Sequence, residues 1–208
     1  MNRRINSALE RATKLSGSLL STVEDDEVVL GIDASLTKTG ISVFGLRSKM
    51  HTSMVFKPKH KSIARLEEIY RFTRVLVGGL DRAHWLRHIV LENYAMGIKG
   101  GQTFSIGEGG GAVKLALLHE LGDTEIAYPT LVSPTALKKF VTSKGNGDKN
   151  AMLLAVYKKW GVDFSDSDDK SDAYALARVG AAIILSETEH AYEAEVVASL
   201  ERHTGWQT

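Results

Sequence analysis

Residues 28–45 read VVLGIDASLTKTGISVFG. Two runs rich in β-branched and apolar residues, Val28–Ile32 and Ile41–Phe44, flank a small polar turn, which is the pattern of two consecutive strands. The first run ends in a carboxylate, Asp33. Taken alone, an aspartate after a strand is a turn residue that hydrogen-bonds its own backbone. What else it does depends on the acids elsewhere in the chain.

Working outward, His51–Phe56 reads as a third strand closing a meander, HIVLENYAMG (His88–Gly97) as a fourth and EIAYPTLVS (Glu125–Ser133) as a fifth. Helical spacing runs through Ser62–Leu80, with Ile63, Leu66, Ile69, Thr73 and Val77 on one face, and ends at Gly78–Gly79. Further helices are expected at Ala112–Leu121, after the Ser133–Pro134 cap, at Asn150–Trp160 and at Asp168–Leu185. This order predicts an α/β fold: a mixed five-stranded sheet, three strands in a meander plus two parallel, flanked by helices. Residues 28–186 form one domain on this reading. Residues 1–27 are a helical extension with Ile5, Leu9, Ala12 and Leu15 on one face, and 187–208 an acidic tail.

Composition narrows the function classes. Hydrophobic residues at 43% and charged ones at 25% are ordinary for a globular domain. A net charge of +1 gives no global basic field, so any nucleic-acid surface must be local. The absence of cysteine excludes disulfides and thiolate metal sites and suits a reducing cytosol. No apolar run approaches the roughly 20 residues that cross a bilayer, so no membrane partner is expected. The first 22 residues lack the apolar stretch of a secretory signal; organelle targeting is the alternative to a cytoplasmic setting.

Glu92 repeats the pattern of Asp33: IVLE puts an acid directly after three apolar residues. Strands one and four are neighbours in a sheet of this order, so the two acids are expected side by side. The third element is DSDDKSDAYALARVGAAIIL. Asp169 and Asp172 lie three apart on one helical face, which Ala173, Leu176, Gly180 and Ile184 continue as the face that packs. Asp166 and Asp168 are adequately explained as helix-start acids. Asp172 sits inward, where burial without a partner is costly. Like charges gathered this way repel, and a divalent cation resolves the conflict; all-oxygen ligands suit Mg²⁺ or Mn²⁺.

LGIDASLTKTGISVF, IVLENYAMG and DDKSDAYALA, in that order, resemble the RuvC-type Holliday junction resolvases of the ribonuclease H-like superfamily, over about Val28 to Leu185. The resemblance implies a four-carboxylate site of Asp33, Glu92, Asp169 and Asp172, with Asp168 the rival to Asp169. It implies two Mg²⁺ or Mn²⁺ ions, a homodimer, and hydrolysis of a four-way DNA junction in a bacterial or phage-infected cell. Other branched DNA, ribosomal RNA precursors and junction binding without cleavage are the alternatives. The glycine that the family carries two residues after the first acid is Ser35 here.

Lys138, Lys139, Lys144 and Lys149 gather in TALKKFVTSKGNGDKNAM, where the resolvases carry basic residues against the scissile strand. Tyr94 and Phe104 are candidates to stack on bases. GIKGGQTFSIGEGGGA lacks the order of a nucleotide-binding loop; its glycines are expected at a helix start facing phosphate.

Overall fold

The computed structural model describes residues 26–82, 85–93, 102–122 (side chains from 107) and 124–200, with isolated positions between 10 and 21. Five strands, β1 (Val28–Asp33), β2 (Thr39–Gly45), β3 (His51–Phe56), β4 (Leu86–Glu92) and β5 (Thr130–Val132), make one sheet in the order β3-β2-β1-β4-β5. The meander β1–β2–β3 is antiparallel, and β4 and β5 run parallel to β1. The mixed five-stranded sheet read from the sequence is the one observed.

Alternation along the strands divides the core in two. Leu30 and Ile32 of β1, Ile41 and Val43 of β2, and Ile89 and Leu91 of β4 face α1 (Ser62–Arg82) and α2 (Gln102–Leu121). Val29, Phe44, Val90 and Val132 face the helices of the other layer: α3 (Pro134–Thr142), α4 (Lys149–Trp160), α5 (Asp168–Leu185) and α6 (Ala191–Ser199). Helix α6 lies in the stretch read from the sequence only as a tail, and it buries Val196 against this second layer. Among the described residues no helix is long and apolar enough to cross a membrane.

Three boundaries differ from expectation. Helix α1 continues through Gly78–Gly79 to Arg82, because Gly78 faces Glu120 of α2: a Cβ there would overlap the Glu120 carboxylate, which Arg74 holds at 2.8 Å. The fifth strand shrinks to three residues, preceded by a 3₁₀ turn at Glu125–Ala127; it pairs only with Val90–Glu92. Gly107 and Gly109–Gly111 lie inside α2 and do not form a helix start. Gly109 is buried against the β1–β2 turn, where an added Cβ would lie 3.1 Å from the Ser35 and Leu36 backbone.

Candidate active site

Strand alternation and register bring the first two acids together. In β1, Val29, Gly31 and Asp33 share the face toward α5; in β4, Val90 and Glu92 do. Ile32 stands opposite Leu91 in the parallel pair, so the next residues, Asp33 and Glu92, end adjacent strands side by side.

Seating α5 brings the rest. A Cβ on Gly31 would overlap the Ala173 carbonyl, and one on Gly40 the Asp169 carbonyl. From the helix side, a Cβ on Gly180 would lie 2.5 Å from Val29 Cγ1 and 2.7 Å from Val90 Cγ2. Glycines on both surfaces therefore let α5 lie directly on β1, β2 and β4. Ser167 caps the helix by accepting the Lys170 amide. The first turn carries Asp168 and Asp169, and Asp172 follows one turn in, over the ends of β1 and β4.

The electrostatics of this cluster are abnormal. Burial raises Asp33 well above the ordinary carboxylate range, and the charges acting on it most are acids: Glu92, Asp169 and Asp168. The close Asp33–Glu92 pairing raises Asp33 further and pulls Glu92 down. Burial also raises Glu92, Asp172 adds to the rise, and Lys138 opposes it. Asp172 is pushed up to about 7, first by burial and then by Asp33 and Asp168. Among the described residues no lysine or arginine makes an ion pair with Asp33, Glu92 or Asp172.

The two helix-start acids differ, each holding a lysine. Asp168 pairs with Lys149, whose ammonium holds that carboxyl below its ordinary range. Lys38, in the β1–β2 turn, stands 3.5 Å from Asp169. Of the four lysines singled out in the sequence, Lys138 and Lys149 line a cleft with Glu92, Ser171 and Asp172. Lys139 turns away and bonds Glu195 of α6 at 2.7 Å, and Lys144 lies in the exposed loop after α3. Tyr94 and the Phe104 side chain lie outside the described residues. Lys38 is the residue that sequence reading missed, although it stands inside the opening stretch; only the seating of α5 brings Asp169 to it.

The donor set suits a hard divalent cation: all oxygen, half-buried, and drawn from three elements. Among the described residues no three acidic or histidine side chains are already disposed as a metal cage. A cation held there would offset the mutual repulsion that raises these carboxyls.

No protein-family model and no curated protein matches this sequence. Solved structures do match. Thermus thermophilus RuvC superposes with a TM-score of 0.58 at 20% identity, covering 77% of this chain and 97% of that one. The same protein in complex with a Holliday junction substrate gives 0.56 at 21%, covering 73% and 90%. The yeast mitochondrial Holliday junction resolvase Ydc2 matches more loosely, with a TM-score of 0.47 and 13% identity over 91% and 94% of the two chains. The chain thus has the RuvC, ribonuclease H-like fold.

Proposed function

We propose that this protein is a divalent-metal-dependent endonuclease that resolves four-way DNA junctions, acting as a homodimer in DNA recombination. One observation carries the reading: three half-buried carboxyls, Asp33, Glu92 and Asp172, converge from β1, β4 and α5, and among the described residues none of them is ion-paired with a lysine or arginine. Like charges gathered in a partly buried place with no paired cation are costly, and a purely structural role gives no reason for them. The RuvC structure with a Holliday junction, which shares this fold, supports branched DNA as the substrate.

Asp33, Glu92 and Asp172, with Asp169 as fourth ligand and Asp168 as its rival, would hold Mg²⁺ or Mn²⁺, two ions in the full site. Ions bound there supply an activated water and neutralise charge on the phosphate. The chain's own contribution is positional. β1 and β4 hold two carboxyls rigidly, α5 delivers the others, and Lys138 and Lys149 line the adjoining cleft where the DNA backbone would lie.

The test is incubation with a labelled four-way junction and Mg²⁺ or Mn²⁺. Paired nicks on opposing strands are expected, with none in EDTA. Asp33→Asn should lower cleavage more than about 10³-fold while junction binding persists, because a metal ligand is lost and no phosphate contact is. Cleavage by that variant at the wild-type rate would overturn the mechanism; preference for flaps or RNA would overturn the substrate.

A further inference from the structure

Lys38 stands apart from the cleft of Lys138 and Lys149. Its backbone is braced: Ser35 Oγ accepts the Lys38 amide at 3.1 Å and donates to the Lys38 carbonyl. The Thr39 hydroxyl donates to the Ser35 carbonyl at 3.2 Å, and Gly109 of α2 packs on the same turn. The side chain is only loosely engaged by contrast. It is 50% exposed, and its 3.5 Å separation from Asp169 is beyond a normal N–H···O hydrogen bond. Exposed pairs of this kind contribute little.

Lys38 also has a groove of its own. That groove runs between the turn, Val55 and Lys57 around the end of β3, and Lys170 in the first turn of α5, whose ammonium is bonded to Asp166 one turn before it. Asp168 lines both this groove and the Lys138–Lys149 cleft, so the two depressions meet at the start of α5, beside the acids. A polyanion laid across the acids from the cleft therefore meets a second set of lysines on leaving them. Asp166, Asp168 and Asp169 also line the groove, which makes a free anion a poor occupant. A continuous phosphodiester chain, already held in the cleft, is a better one.

Resting on the nuclease reading above, we propose that the groove of Lys38, Lys57 and Lys170 carries the DNA backbone on the far side of the cut, with Lys38 exchanging Asp169 for a phosphate. Lys38 is then a substrate-binding residue held ready by a rigid turn. The exchange has a consequence for Asp169, whose carboxylate becomes available to a metal ion as DNA arrives. Metal and DNA binding are thereby coupled, by the same factor in both directions.

The experiment compares the full-length chain, Lys38→Gln and Lys158→Gln, the last removing an exposed lysine near the far end of α4. Four-way junction affinity is measured against salt in EDTA, and Mn²⁺ affinity by calorimetry without DNA. Lys38→Gln should reduce the slope of log affinity against log salt by about 0.9, one phosphate contact, and Lys158→Gln should leave it unchanged. Mn²⁺ should bind Lys38→Gln roughly two- to fivefold more tightly than it binds the wild type, as Asp169 loses its lysine. An unchanged slope would overturn the phosphate contact, and an unchanged Mn²⁺ affinity the exchange. A reduced slope in a protein that cuts no DNA with any metal would overturn the nuclease reading and leave the Lys38 assignment standing.

Discussion

The molecule draws acids out of solvent to two extents and holds them in two ways. Asp26, Glu68 and Glu193 are buried and satisfied. Asp26 accepts the Ser48 hydroxyl at 2.6 Å and the Ser48 and Arg47 amides; Glu68 accepts the Lys59 and His60 amides; Glu193 pairs with Lys159. Burial pushes each carboxyl up, but these donors outweigh it and hold all three below the ordinary range. Asp33, Glu92 and Asp172 go the other way, with each other as their main company. The first set ties loops and helices to the core. The second is an arrangement that folding alone gives no reason to keep, and it is the basis of the site proposed above.

Substitution should separate the two sets most sharply. Glu193→Gln leaves the Lys159 ammonium, only 9% exposed, without its anion. It should lose about 3 kcal/mol in urea melts, with cleavage per folded molecule intact. Asp33→Asn should do the reverse: its melting temperature should equal or exceed the wild type in metal-free buffer, because it removes a half-buried carboxyl set among other acids. A Glu193→Gln protein as stable as the wild type would erase the distinction.

Gly31→Ala should come next. The new methyl meets the backbone of Ala173 and Ala177, which cannot swing aside as a side chain can. About 1–3 kcal/mol of destabilisation is expected. Cleavage should fall by more than the unfolded fraction explains, since α5 carries Asp169 and Asp172. Activity that tracks the folded fraction would mean that the acids tolerate displacement.

The smallest expected effect is on pH dependence. Asp172 titrates near 7 in the folded chain against an ordinary 3.8, so between those values the folded state binds more protons than the unfolded one. Metal-free stability must then fall as pH rises through that window. Asp26, Glu68 and Glu193 have the opposite sign and lose their contribution as pH drops through their lowered values. Melts in EDTA should decline by roughly 5 °C from pH 5 to pH 8, with a shallower decline in Asp172→Asn. Cleavage should rise over the same range as the acids ionise.

Much of this was legible in the sequence. Apolar runs with β-branched residues located β1 to β4, and Ser133, Pro134 and the acid-rich start of α5 marked helix ends, because strand alternation and capping are local physics. Asp33 and Glu92 could be paired because both end apolar strands of neighbouring rank. The glycine run of α2 was misread for the opposite reason. Its low intrinsic helix propensity is overridden by close packing, as Gly109 on the β1–β2 turn illustrates, and that partner lies some 70 residues away in sequence. The sequence by itself thus determined the sheet order and which carboxyls could meet. Only the tertiary structure decided which lysines attend them: it turned Lys139 toward Glu195 and brought Lys38 to Asp169. A lysine's partner depends on where helices lie on the sheet, and here glycine contacts between β1, β2, β4 and α5 set that position.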